Sequence, residues 1–327
     1  MGTSLYSKET IREHLDPADA LTAVERTYRA FARDRVLNPS KLTMHLGDDG
    51  EWPDRNAFAI DMPAYVGWLD VAGVKWAIAT WEVDRHPPIS AQILLFDIDR
   101  AVFTAALEGM YITGVRTALQ SVVGLKHLAP GVLDSVGVFG AGFQGTFQVK
   151  LVDQFLDIER FELYDTDQTR AVTRAEQLDA QVSGSVVAAS TPEQAAAADA
   201  VLTVTDATHP VLESAWLGDA GVVIALGSYR ELPDDVILDA DHLIVDHPEQ
   251  CLQRGALADL ADRGRLGRDD CDATIGEVLT EAYTDPLGVE DRVVFVPIGL
   301  GALDVAIAER VRETTGTDDA VQEFAFE

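Results

Sequence analysis

SVGVFGAGFQGTFQVKLVDQFL, residues 135–156, runs from a short apolar strand through a glycine-rich turn into an apolar-periodic helix. Gly140, Gly142 and Gly145 stand at G-x-G-x-x-G spacing within it, and a second β-rich run, RFELYD, ends at Asp165, 25 residues after Gly140. Each glycine has a physical use. Gly140 makes the tight turn, Gly142 lets a pyrophosphate approach the backbone, and Gly145 lets helix pack close on strand. The helix N-terminus then offers N–H groups and the positive end of its dipole to the phosphates. Asp165 is placed to accept both adenosine ribose hydroxyls, and its charge opposes a 2′-phosphate. Neither residue that follows, Thr166 or Asp167, is basic, so NAD is expected over NADP. The expected cofactor residues here are Gly140, Ala141, Gly142, Phe143, Gln144, Gly145 and Asp165.

Downstream the alternation continues. RFELYD precedes the helical QTRAVTRAEQLDA, and VVAAS, AAAADAVLTVTDA, AGVVIALGS and DHLIVDH are apolar β-rich runs with polar or helical connections. Near-continuous Val, Ile and Leu marks parallel strands covered on both faces. The expected fold is therefore α/β, with a Rossmann-type doubly wound parallel sheet. Upstream the texture differs. Ser7 to Arg35 reads as two helices: Ile11 and Leu15 share a face of the first, Asp16 caps the second, and Pro17 takes its first position. Ala20, Val24, Tyr28 and Phe31 recur there at helical spacing. From Leu42 to Leu107, β-rich runs broken by Gly, Pro and Asp predict an antiparallel or mixed sheet. Thr113 to Ala129 predicts a helix capped by Thr113, with Val115, Leu119, Val122 and Leu125 on one face and Pro130 beyond its end. The tail from Asp304 to Thr314 is again helical.

Bulk properties narrow the function. A chain of 327 residues with 47% hydrophobic and 24% charged content has room for two globular domains. The net charge is −30, lysine occurs only at positions 8, 41, 75, 126 and 150, and the acids are scattered, among them Asp48, Asp49, Asp234, Asp235, Asp269, Asp270, Asp318 and Asp319. Such a surface suits a halophile, because the Debye length falls to about 3 Å near 1 M salt and screens the self-repulsion. The other reading is a partner with a large basic surface. No basic stripe offers phosphate contacts, so nucleic acid is not an expected partner. No apolar run reaches the roughly 20 residues of a membrane span. The polar, acid-bearing start reads as neither signal nor transit peptide. Cys251 and Cys271 form no disulfide framework, and the seven histidines show no H-x-x-x-H pairing. No metal is expected, the absence of G-x-S-x-G argues against a hydrolase, and the cytoplasm is the default compartment.

In a chain so poor in lysine, a cation in an apolar context asks for an explanation. Lys75 lies within AGVKWAIATW, a run fit for a buried strand, unless it is an edge lysine snorkelling to water. Arg116 falls in the first turn of the predicted Thr113 helix, where the dipole disfavours a cation. Beside free N–H groups it suits a substrate carboxylate; otherwise it pairs with a nearby acid. Lys41, in NPSKLTM, reads on pattern alone as a surface-turn residue.

Taken in order, these pieces resemble the ornithine cyclodeaminase/mu-crystallin family, which includes archaeal alanine dehydrogenases and ketimine reductases. The resemblance rests on Pro39-Ser40-Lys41, Met62-Pro63-Ala64, Gly73-Val74-Lys75, Ile112-Thr113-Gly114-Val115-Arg116-Thr117, the Gly140–Gly145 loop with Gln144, Thr203-Val204-Thr205, and Gly301 to Asp304. It implies a homodimer. Residues 1–115, completed by 304–327, would form an α+β substrate-binding and dimerisation domain, and residues 116–303 the NAD-binding domain. It implies that Lys41, Lys75 and Arg116 surround a substrate carboxylate, that Lys75 also moves protons, and that Thr117 and Thr205 join the cofactor site. Relatives often carry arginine where this chain has Lys41, so a fork becomes a point charge.

One departure bears on the reaction. Cyclodeaminases carry an aspartate after the strand matching VVIALG, for the substrate's distal amine, whereas here Tyr229 stands in Gly227-Ser228-Tyr229-Arg230-Glu231-Leu232. A phenol beside Arg230 is a poor partner for an ammonium. The expected activity is therefore hydride transfer between NAD and the α-carbon of a small amino or imino acid, as in alanine dehydrogenase or ketimine reductase. The alternatives are ornithine cyclisation to proline and ammonia with NAD recycled, and a non-catalytic dinucleotide-dependent binding protein.

Overall fold

The computed structural model describes residues 2–47, 52–83, 87–129, 131–218, 220–316 and 321–325. Pro130 and the acids Asp48, Asp49, Asp318 and Asp319 lie outside the described residues. The strands of the first half are β1 (Thr3–Tyr6), β2 (Val36–Leu37), β3 (Leu42–His45), β4 (Ala57–Val66), β5 (Val71–Thr80), β6 (Ile89–Asp97) and β7 (Val102–Glu108). Those that follow are β8 (Ser135–Phe139), β9 (Arg160–Tyr164), β10 (Ser185–Ala188), β11 (Ala200–Thr203) and β12 (Val222–Ala225). The last are β13 (His242–Val245), β14 (Ala273–Thr274), β15 (Val293–Val296) and β16 (Gln322–Phe324). The chain divides into two compact units, residues 1–116 with 300–327 and residues 117–299.

The first unit holds a mixed sheet of order β16-β1-β7-β6-β5-β4-β2, with β3 also paired to β4. Every pairing is antiparallel except that of β1 with β7. Lys75 sits in the middle of β5, opposite Met62 of β4 and Ile93 of β6. A lysine with a strand on either side cannot be the edge lysine that its apolar surroundings left open. Two helices form where the spacing predicts, Lys8–His14 and Pro17–Phe31, and the Asp16 carboxylate accepts the Ala18 N–H at 2.8 Å. The closing helix, Gly301–Thr315, packs over β4, β5 and β6 and against the Pro17–Phe31 helix. Its approach is close. A Cβ on Gly301 would stand 2.6 Å from the Met62 carbonyl oxygen, and one on Gly73 would stand 2.9 Å from Val305 Cγ2.

The long helix begins earlier than its Thr113 signal predicts. It spans Gly109–Leu128, and both oxygens of Glu108, the last residue of β7, accept N–H bonds at 2.9 Å, from Met110 and Tyr111. A carboxylate at the strand end thus satisfies the orphan donors that a threonine cap would otherwise serve. Thr113 lies inside the helix and gives its hydroxyl hydrogen to the Gly109 carbonyl at 2.7 Å. Arg116 is consequently in the second turn, away from the free N–H groups that its first-turn placement invoked.

The second unit is the doubly wound parallel sheet, of order β10-β9-β8-β11-β12-β15-β13-β14. All its pairings are parallel. Every residue of β11, β12, β13 and β15 is buried, as near-continuous apolar runs require. From β8 the chain winds outward to β9 and β10, then crosses back to lay β11 on the other side of β8. That reversal puts a topological switch point at the carboxyl ends of β8 and β11, where open α/β sheets take their ligands. Among the described residues, no helix is long and apolar enough to cross a membrane, and no group of three His, Cys, Asp or Glu is placed to hold a metal.

Candidate functional site

In the second unit, the turn after β8 has the geometry its glycines predict. Gly140 has φ of +111°, and a Cβ there would lie 2.8 Å from the Val204 carbonyl oxygen. Gly142 faces open space, with no heavy atom within 4 Å of where its Cβ would be. Gly145 has the reverse constraint: a Cβ would lie 1.9 Å from the Gly140 carbonyl oxygen, so only hydrogen fits. The helix that follows, Phe143–Phe155, has Gly142 as its N-cap and no side chain bonded to its first N–H groups. Its positive end is therefore available to an anion. The Oε1 of Gln144 is buried without a hydrogen-bond partner among the described residues, an orphaned acceptor at the mouth of this turn.

Asp165 follows β9 and is buried to 9% exposure. Its Oδ2 accepts the Ala141 N–H at 2.9 Å and its Oδ1 the Asp167 N–H at 2.9 Å. A carboxylate offers about four lone-pair sites, so two remain for ribose hydroxyls. Positions 166 and 167 are not basic, but a cation reaches Asp165 from further along the chain. Arg170, in the first turn of the Gln168–Asp179 helix, brings Nη1 to 3.7 Å from Asp165 Oδ2 and Nη2 to 3.4 Å from Asp167 Oδ2. A cation does stand beside Asp165, and it offsets part of the repulsion that a 2′-phosphate would meet.

A second feature was not singled out at all. Glu231 is fully buried, and its carboxylate gathers four donors from the carboxyl-end loops of β11 and β12. They are Thr203 Oγ1 at 2.8 Å, Thr205 N at 2.6 Å, Thr205 Oγ1 at 2.7 Å and Gly227 N at 2.7 Å. Burial raises the Glu231 carboxyl above its ordinary value, and the bonds from Thr205, Thr203 and Gly227 pull against that rise. Thr205 is thus locked by its backbone and its hydroxyl together. Only the Glu-Leu that follows Tyr229 and Arg230 hinted at a role here. Tyr229 itself is 43% exposed, and Arg230 is held by Asp234 at 2.8 Å and Asp259 at 3.6 Å.

In the first unit, Lys75, Arg116 and Thr113 converge on Asp304, in the first turn of the closing helix. Lys75 Nζ donates to Asp304 Oδ2 at 2.7 Å and to Thr113 Oγ1 at 3.2 Å. Arg116 Nε lies 3.4 Å from Asp304 Oδ1. Lys75 is 2% exposed, Arg116 8% and Asp304 0%, so the whole group is withdrawn from water. Burial lowers the Lys75 ammonium to about 8, and Arg116 adds to the fall while Asp304 opposes it. For Asp304, burial pushes the carboxyl up, but Lys75, Arg116 and Lys41 outweigh it and hold the group below the usual carboxylate range. Lys41, just before β3, is therefore close enough for its charge to act on this cluster. The ion-pair reading of Arg116 holds here, whatever else the guanidinium does. Thr117 is buried on the same long helix and makes no hydrogen bond to the Gly140–Gly145 turn among the described residues.

Known proteins match this architecture along nearly its whole length. Alanine dehydrogenase of Archaeoglobus fulgidus is 28% identical over 100% of this chain and 99% of its own. Ketimine reductase mu-crystallin of Mus musculus is 30% identical over 95% of this chain and 97% of its own. The fold is shared with the Thermococcus litoralis Delta(1)-pyrroline-2-carboxylate reductase, solved with NADH and L-proline; the TM-score is 0.88 at 22% identity, covering 96% of this chain and 97% of that one. The profile of the ornithine cyclodeaminase/mu-crystallin family matches residues 1–318. This chain belongs to the ornithine cyclodeaminase/mu-crystallin family.

Proposed function

We propose that the protein is an NAD-dependent oxidoreductase acting on a small amino or imino acid, in the manner of an alanine dehydrogenase or a ketimine reductase. The observation that carries this reading is Lys75: an ammonium in a central strand, sealed from water, paired with Asp304 and lowered to about 8. A lysine tuned to that range exchanges a proton near neutral pH, as a general acid or base must. Relatives named alanine dehydrogenase and ketimine reductase mu-crystallin support this reading.

The turn and strand-end residues of the second unit fit a dinucleotide. Gly140, Ala141, Gly142, Phe143, Gln144 and Gly145 would take the pyrophosphate, Asp165 the adenosine ribose, and Thr205 with Thr117 the nicotinamide end. When bound, NAD supplies the hydride acceptor or donor. This chain's residues do the rest. Lys41, Lys75 and Arg116 bind the substrate carboxylate, which fixes the α-carbon, and such positioning supplies several kcal/mol of a barrier. Lys75 Nζ delivers a proton to the substrate nitrogen or to water in one direction and withdraws it in the other.

Assay across a panel of amino acids and oxo-acids, with NADH and ammonia followed together in high salt, tests the proposal. An amino or imino acid that changes NADH stoichiometrically is the expected result. Ammonia from ornithine with no net NADH would instead mark a cyclodeaminase, against which the exposed Tyr229 argues. A ligand that binds with NAD present and never changes NADH would mark a binding protein.

We also infer a homodimer. The outer face of the first unit's sheet carries Leu42, Met44, Trp76 and Phe103, each between 46% and 67% exposed, and apolar side chains on one face support an interface. A saline cytoplasm fits the net charge of −30 and the two free thiols.

A further inference from the structure

Lys75 has three ammonium hydrogens, and the protein takes two. One goes to Asp304 Oδ2 at 2.7 Å and one to Thr113 Oγ1 at 3.2 Å. Thr113 is an acceptor toward Lys75 because its own hydrogen is directed to other oxygens, the Gly109 carbonyl at 2.7 Å and Asp304 Oδ1 at 3.4 Å. Asp304 divides its two oxygens, Oδ2 to Lys75 and Oδ1 to Arg116 Nε at 3.4 Å. All three charged groups are buried, and the charge of Lys41 also reaches Asp304. The charges of three cations thus act on this carboxylate. Arginine does not give up its proton in proteins, so a proton exchanged within this group is exchanged at a lysine.

We propose that Asp304 is the positioning residue that holds Lys75 in its ammonium form and leaves one N–H of the three for the substrate. Asp304 is not itself the proton carrier. Lys75, Arg116 and Lys41 keep it ionised, so it acts as a fixed counter-charge while the proton comes and goes on Nζ. Without that counter-charge, Lys75 would stand buried beside Arg116 with nothing to retain its proton. The substrate carboxylate then adds a second anion to the cluster, which strengthens the hold on the proton as substrate arrives. This inference rests on the proposed function for its catalytic meaning, and its test is independent of turnover.

The chain has only five lysines, so ¹⁵N-lysine labelling gives five Nζ titrations, with Lys75 identified by its absence in Lys75→Met. In the intact protein Lys75 is expected to titrate near 8. In Asp304→Asn it is expected at least one unit lower, a tenfold or greater fall in the ammonium-to-amine ratio, and in Asp304→Glu within about half a unit of the parent. The alkaline limb of the reductive kcat profile should move by the same amount in each variant. A Lys75 titration in folded Asp304→Asn at or above the parent value would overturn the proposal. Should Asp304→Asn not fold, a shift of a unit or more in Asp304→Glu, where the charge is kept, would overturn it equally. Failure of the functional reading looks different: the titrations behave as stated, and no amino or imino acid changes NADH.

Discussion

Replacing Glu231 by glutamine tests how the loops beside the expected nicotinamide site are held. The change keeps shape and volume and removes one acceptor and the charge. Oε1 now receives Thr205 N and Thr205 Oγ1, and Oε2 receives Thr203 Oγ1 and Gly227 N. Whichever way the amide turns, its NH₂ confronts one hydroxyl and one backbone N–H. The hydroxyl can rotate and accept; the N–H cannot. A buried donor left without its acceptor costs about 1–3 kcal/mol, and the remaining bonds lose their charge assistance, so a stability loss of roughly 2–4 kcal/mol is expected. The contact is close, since a Cβ on Gly227 would fall 2.3 Å from Glu231 Oε2. Urea unfolding followed by circular dichroism measures the loss, and NADH fluorescence titration should show affinity weakened on the order of tenfold as Thr205 loosens. A variant within about 0.5 kcal/mol of the parent, binding NADH equally well, would refute the claim that this carboxylate organises the two loops.

Alanine at two glycines should separate fold from ligand. Gly145→Ala has no room and should cost about 3 kcal/mol or more in unfolding free energy, while Gly142→Ala should leave stability within about 1 kcal/mol and weaken NADH binding in a fluorescence titration. Lys75→Met should abolish turnover and leave the NADH dissociation constant nearly unchanged; loss of NADH binding would remove Lys75 from its assigned role. The same variant reports the lysine's pH linkage. Because the folded value of about 8 lies below the ordinary 10.5, the unfolded chain binds more protons between those limits. The parent should therefore gain up to about 3 kcal/mol relative to Lys75→Met as pH rises from 8 to 10.5, read from paired urea titrations. Trp76→Glu, on the outer sheet face, should shift the sedimentation profile from dimer to monomer with NADH binding retained.

Much of the second unit is legible in the sequence because its signals are local. A strand, a G-x-G-x-x-G turn and a helix N-terminus are neighbours in the chain, so the glycine roles at 140, 142 and 145 follow from steric facts about a few consecutive residues. Arg170 is not legible from the two residues after Asp165, because only the helix that follows brings position 170 back to the strand end. The start of the long helix was misplaced for a related reason. Thr113 is a good cap by type, but Glu108 at the end of β7 already supplies the acceptors. With the helix beginning at Gly109, Arg116 moves out of the first turn and its dipole argument falls away.

Residue identity and spacing alone determined the α/β alternation, the cofactor turn, and the oddity of Lys75 in an apolar run, since each depends on periodicity or on chemistry carried by adjacent positions. Only the tertiary structure decided which carboxylate answers Lys75. Asp304 lies 229 residues away in the chain, and nothing short of folding the closing helix onto β4, β5 and β6 brings them to 2.7 Å. The same holds for Val293–Val296, four apolar residues whose own pattern does not say that they slot between β12 and β13. Pairing across a sheet and pairing across a core are settled by the global minimum of packing, which local sequence does not encode.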